Sequence, residues 1–217
     1  IQIVGRTEKE DYAVEKIVFE VFKKLYGTAL LYLPRKADFP APGILCVHGH
    51  WKNAKHEPVV QSRCICLAKR GYVVLNLDKV GYGEREPQGH SHTHYLYLAG
   101  SCLQGMLIRE NIAMLDYLIS RPEVDGERIG LTGCSGGGNQ TMYLAALEER
   151  IKVAVPVCSV NTYTDQLFRG IGCSCEGIPS ALALMEEYDI LSLVAPRPLL
   201  VISGIKDCLL YTSDAAD

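Results

Sequence analysis

Arg128-Ile129-Gly130-Leu131-Thr132-Gly133-Cys134-Ser135-Gly136-Gly137-Gly138 is the stretch whose reading decides the fold. Arg128–Thr132 is a short apolar run bounded by turn residues, which predicts a buried strand. Gly133–Gly138 is a glycine-rich corner, and Asn139–Glu149 reads as a helix. Gly133-Cys134-Ser135-Gly136-Gly137 fits G-x-S-x-G in the strand–sharp turn–helix context of a nucleophile elbow. Such a turn is crowded, so the residues flanking its centre must be small; glycines remove the Cβ atoms that would clash. Ser135 is then displayed at the carboxyl end of a sheet, where open α/β sheets place their sites. The N–H groups of the following helix point at negative charge developing beside it.

Working outward, the same strand–helix alternation repeats. Gly43–Val47 is a fully apolar run and Tyr72–Leu77 reads as a second buried strand; they end at His48-Gly49-His50 and at Asp78. Between them Pro58–Arg70 reads as a helix with Val59, Cys66 and Leu67 inward, stopped by Gly71. Ile108, Ile112, Leu115 and Ile119 recur at helical spacing before Pro122. Lys152–Cys158 and Pro198–Ser203 are further strands, Ala181–Val194 a helix, and Ser159–Pro179 irregular. Glu15–Phe22 and Thr28–Leu33 around Tyr26-Gly27 read as a hairpin at one edge. Buried strands alternating with helices predict an α/β domain: a mostly parallel sheet with helices on both faces.

The 217 residues are 48% hydrophobic and 22% charged, which excludes a disordered chain. A formal net charge of −3 and a pI near 6.1 imply no basic face for nucleic acid. No apolar run reaches the ~18 residues of a membrane span. Residues 208–217 carry no strand or helix period and resemble the translation of a sequencing adapter. They are expected to be foreign to a native stretch of 1–207, a single domain. Without Asp214 and Asp217 the acids fall from 25 to 23 against 22 bases, a net of −1. Ile1 is not a methionine, so the expectation is a removed leader or a record that begins mid-gene. The eight cysteines before residue 208 lack the spacing of a disulfide scaffold, and they leave the compartment open.

His48-Gly49-His50-Trp51 resembles the HG-x-x oxyanion loop of lipases and esterases. From Asp11 to Asp207 the chain resembles the α/β-hydrolases, in particular their acetyl xylan esterase-like and dienelactone hydrolase-like branch. The resemblance rests on that loop, Arg70-Gly71-Tyr72, Asp78 with Gly81–Arg85, Ser120–Asp125, the elbow, Ala195–Leu200 and Gly204–Asp207. It implies the α/β-hydrolase fold, incomplete at the C-terminus, and a serine hydrolase cleaving carboxylic esters through an acyl-enzyme. Small acyl esters, carbohydrate-borne ones included, are the implied substrates. No cofactor is implied. By the family pattern Ser135 is the nucleophile and Asp207 the triad acid, with the N–H groups of Gly136 and His50 as oxyanion hole. His48 is expected to brace backbone rather than to act as base. The family's triad His follows the acid, whereas all six histidines here precede Ser135. The chain as written is therefore expected not to turn over.

There are departures from the pattern. Dienelactone hydrolases use Cys where Ser135 stands, and glucuronoyl methylesterases carry Arg where Gly136 stands. Acetyl xylan esterases often carry Gln at that position, so neither a glucuronate nor a xylan ester is supported. Trp51 and Arg85 are candidate substrate contacts, against plain packing for Trp51 and a solvated ion-pair cluster for Glu84-Arg85-Glu86. Cys173-Ser174-Cys175-Glu176 is either pocket lining or a loop with buried thiols. His90, His92 and His94 alternate and could hold zinc, but no thiol or carboxylate partner is pinned nearby, so no metal is expected. The competing readings are a serine peptidase of the same fold, which usually carries a large extra domain, and a non-catalytic relative.

Overall fold

The computed structural model describes residues 1–91, 93–169, 173 and 175–204. Within them a seven-stranded sheet runs in the order β1-β2-β3-β5-β4-β6-β7. Its strands are β1 (Gln2–Glu8), β2 (Tyr12–Phe22), β3 (Leu25–Pro34), β4 (Ala41–Val47), β5 (Val73–Leu77), β6 (Val124–Cys134) and β7 (Ile151–Val157). β4, β5, β6 and β7 pair in parallel, and β1–β3 form an antiparallel meander that joins at β5. Residues 198–203 extend the parallel sheet beyond β7 through bridges Ala154↔Leu199 and Val157↔Ile202. The α/β class and the edge hairpin are as expected. The hairpin turns at Lys23-Lys24, with Phe22 opposite Leu25, rather than at Tyr26-Gly27. β1 carries no apolar alternation that would announce it; six of its seven residues are exposed.

Alternation along the buried strands feeds two cores. Leu31, Leu45, Val47, Leu75 and Leu131 meet α3 (Leu103–Ser120), α4 (Gly136–Leu147) and α6 (Glu187–Ser192) on one face. Leu30, Tyr32, Cys46 and Val74 meet α1 (Pro58–Lys69) on the other. The side-chain period of two makes this division obligatory once both faces are covered. Helix α1 is rotated from expectation: Val60, Cys64 and Ala68 are buried, while Val59 and Cys66 face solvent. The irregular region contains α5 (Tyr163–Arg169). No helix of the described residues is long and apolar enough to cross a membrane.

Arg197 closes the α4 end of this layer. Its guanidinium donates to the carbonyls of Ala145 at 2.7 Å, Glu148 at 2.9 Å and Ile151 at 3.0 Å. It also donates to Val194 at 3.2 Å and Leu193 at 3.3 Å. A cation on carbonyls that a helix end leaves unpaired satisfies the acceptors and complements the dipole. Arg197→Met should lower unfolding free energy by about 2 kcal/mol, read as a reduced urea midpoint at unchanged slope. A midpoint equal to wild type would contradict this capping role.

Candidate active site

The corner between β6 and α4 holds Ser135 at φ 59° and ψ −130°, a backbone state that a non-glycine residue rarely adopts. It is fixed from both sides. The Ser135 N–H donates to the Val157 carbonyl at 2.9 Å, and its carbonyl accepts from Gly138 N–H at 2.6 Å. The surrounding backbones approach so closely that a Cβ on Gly133 would lie 2.3 Å from the Gly137 oxygen. One on Gly137 would lie 2.8 Å from the Val47 oxygen, and one on Gly49 2.7 Å from the Cys134 oxygen. The sequence motif and the loop after β4 are thus two halves of one contact. Ser135 is half-buried beside the loop, and Gly136 opens α4 with an N–H that has no acceptor inside the helix.

The loop after β4 is anchored by polar groups. His48 is buried; its Nδ1 donates to the Gly49 carbonyl at 2.9 Å and its Nε2 accepts from Lys79 N–H at 3.3 Å. Burial pushes its pKa down to about 4, Lys79 and Arg63 adding to this while the Gly49 hydrogen bond and Asp78 oppose it. His48 is therefore a neutral backbone brace, as expected. Gln140 of α4 donates to the carbonyls of His48 and Gly136, each at 3.2 Å, and accepts from Asn111 of α3. Arg63 of α1 donates to the Val47 carbonyl at 3.0 Å.

Asp78 organises the facing loop. It accepts from Thr28 Oγ1 at 2.8 Å, from Lys55 N–H at 3.0 Å and from the buried Lys55 ammonium, which also pairs with Glu84. Nothing in the local sequence pattern marks Lys55 as buried. Arg85 corrects its expected role. It is 1% exposed and forms a two-pronged pair with Glu110 at 2.7 and 2.8 Å. It also donates to the Asp78 carbonyl and to Gln88. All three guanidinium nitrogens are engaged inside the fold, so Arg85 is neither a substrate contact nor part of a solvated cluster; it holds the loop to α3. Trp51 lies on the surface with 38% of its area exposed.

A cleft of about 800 Å³ opens beside the elbow, lined by His50, Asn53, His56, Tyr82, Glu86 and His90 among others. The His50 ring packs against the elbow: a Cβ on Gly136 would lie 2.9 Å from its Cε1 and 3.1 Å from Glu176 Oε1. The expectation that His90 has no thiol near it is overturned, because His50, His90, Cys173 and Cys175 converge there. Hydrogen bonding with Cys175 is the largest influence on the Cys173 thiol and holds it below its ordinary range against the opposing effect of burial. His92 and Asp207 lie outside the described residues, as does the stretch 208–217, and nothing is described of the His94 side chain.

Above the elbow, Glu176 is held to α4 through its carbonyl, which accepts from Tyr143 Oη at 3.2 Å and Asn139 Nδ2 at 3.4 Å. Glu187 is buried and accepts from Asn161 N–H and Gln166 Nε2, each at 2.6 Å. Desolvation pushes its pKa up to about 7.

Comparison with known proteins adds relatives to this geometry. Residues 28–166 match the model of the dienelactone hydrolase family. YtaP of Bacillus subtilis (strain 168), described as a hydrolase, is 31% identical over 93% of this chain and 72% of its own length. The methylesterase BT1017 superposes with a TM-score of 0.77 at 30% identity, over 92% of this chain and 44% of that one. A Bacteroides fragilis NCTC 9343 protein described as an acetyl xylan esterase superposes with a TM-score of 0.79 at 20% identity, over 92% and 61%. The chain thus spans less than two thirds of either structure.

His48 and Glu187 act oppositely on stability. His48 is depressed from 6.5 in the unfolded chain to about 4, so its contribution is present above pH 6.5 and lost as pH falls through 4. Glu187 is raised from 4.5 to about 7, so its contribution is full below pH 4.5 and lost as pH rises through 7. Glu187→Gln should remove the second. Its unfolding free energy should then drop by on the order of 3 kcal/mol on acidification through the His48 window, measured by urea unfolding. A variant as insensitive to pH as its parent would contradict the assignment.

Proposed function

The chain belongs to the dienelactone hydrolase family, and we propose that it carries the nucleophile and oxyanion machinery of a serine carboxylic ester hydrolase. The observation that carries this reading is Ser135 at φ 59° on the turn from β6 into α4, packed against the loop that bears Gly49 and His50. In this reading Ser135 Oγ attacks the ester carbonyl and gives up its proton to a histidine. The N–H groups of Gly136 and His50 receive the oxyanion, each contributing about 2.7–4 kcal/mol to the transition state. The alcohol leaves, and water hydrolyses the acyl-enzyme.

By the family pattern the base is a His after the acid Asp207, and no residue after His94 in this sequence is a His. His48 has both nitrogens committed to backbone, and the His50 nitrogens face Cys175 and Glu176, so neither is assigned as the base. Small acyl esters are the proposed substrates, carbohydrate-borne esters included. The descriptions of a methylesterase and an acetyl xylan esterase among the structural relatives support that class. Trp51, exposed next to His50, is proposed as a face for the leaving group.

In the complete protein, Ser135→Ala should abolish the burst with p-nitrophenyl acetate and cut kcat by at least about 10³-fold. Cys134→Ser should retain activity within about tenfold, since a neighbouring thiol takes no part in a serine mechanism. Esterase turnover surviving Ser135→Ala would overturn the proposal, and selective loss in Cys134→Ser would point to a thiol nucleophile.

A further inference from the structure

Four side chains from three separate stretches meet beside the elbow. His50 comes from the loop after β4, His90 from the loop that follows the 3-10 turn Gly83–Gln88, and Cys173 and Cys175 from the chain after α5. One ligand atom of each lies within 4.8 Å of all the others. His50 Nε2 is 3.2 Å from Cys175 Sγ, and the two imidazoles stand edge to face at 5.4 Å. Cys175 is 2% exposed, and the other three are half-buried.

The orientation of each ring is fixed by its second nitrogen. His90 Nδ1 lies 2.7 Å from the Val80 carbonyl, to which it must donate. That leaves His90 Nε2 unprotonated, buried and without a hydrogen-bond partner among the described residues. His50 Nδ1 lies 3.4 Å from Glu176 Oε1, while Glu176 Oε2 accepts from Cys173 N–H at 2.7 Å. One imidazole backed by a carbonyl and one by a carboxylate, both turned toward thiols, is the outer arrangement that orients metal-bound histidines. A buried nitrogen lone pair with nothing to bind is costly, and an electron-pair acceptor at the centre of the cluster would remove that cost.

We infer that His50, His90, Cys173 and Cys175 form a tetrahedral binding site for zinc. Two sulfurs at ~2.3 Å and two nitrogens at ~2.0–2.1 Å from one ion would sit ~3.3–3.8 Å from one another. The observed spread therefore needs only about an ångström of closure. Zinc takes both sulfurs as thiolates, any proton they carry going to solvent, so Zn²⁺ with two thiolates and two neutral imidazoles carries no net charge. Four protein ligands leave no open position, which makes this a structural ion rather than a source of activated water. It would staple Cys173, Cys175 and the segment that bears His90 to the loop after β4. The inference is independent of the ester-hydrolase reading, because its readouts need no turnover.

The complete protein, grown with zinc and dialysed, should retain about one zinc per chain by elemental analysis. Replacement by Co²⁺ should give the intense visible bands of a tetrahedral site together with thiolate-to-cobalt charge transfer. Cys175→Ser should lose the charge-transfer intensity contributed by that sulfur. Glu176→Gln, which keeps all four ligands, should weaken zinc binding by about 10–100-fold. A folded wild-type protein that retains no zinc and takes up Co²⁺ without a thiolate band would overturn the inference, as would a Cys173–Cys175 disulfide in protein purified under reducing conditions.

Discussion

Backbone meeting backbone without intervening side chains is the constraint on which the site depends. The end of β4, the loop that follows it and the turn from β6 into α4 approach to distances at which no Cβ fits at Gly49, Gly133 or Gly137. That contact forces Ser135 into its φ 59° conformation and lifts it out of the sheet. It also brings the start of α4 against the His48–His50 loop. Strain at Ser135 persists because both neighbouring elements over-determine it. β6 is held between β4 and β7, and α4 is buried along most of its length.

A second layer of order is electrostatic. Asp78 at the end of β5 gathers Thr28, Lys55 and Glu84, and Arg85 locks onto Glu110 of α3. Buried pairs of this kind contribute little net stability, but breaking one leaves a charge without a partner. Here they hold two loops at fixed heights on either side of the cleft. His50 belongs to both systems, since its ring packs against Gly136 of the elbow and lies among the thiols.

The elbow was legible in the sequence because its signals are local: an apolar run, glycines at fixed offsets and a helix-forming stretch. Gly43–Val47 and Tyr72–Leu77 were legible for the same reason, as strands buried on both faces. What sequence could not supply is what depends on distant partners. Arg85 looked solvated because Glu84 and Glu86 flank it, yet its partner is 25 residues away on α3. Lys55 is buried because Asp78 reaches it across a loop. Helix α1 has apolar residues on more than one side, so Val59 and Cys66 competed with Val60 and Cys64 for the inward face. His90 looked incomplete as a ligand, and Cys173 and Cys175 read only as pocket lining or buried thiols; the fold alone brings them to His50, Cys175 across 125 residues.

The central claim is that the site exists because glycines permit this backbone contact, and one pair of substitutions tests it. A Cβ at Gly137 would meet only backbone, at 2.8 Å, whereas a Cβ at Gly177 would meet nothing within 4 Å. Urea unfolding of the two alanine variants should show Gly137→Ala destabilised by about 3 kcal/mol or more, and Gly177→Ala within about 0.5 kcal/mol of wild type. A Gly137→Ala protein as stable as wild type would mean that the chain does not make this contact and that Ser135 is not held on a strained turn.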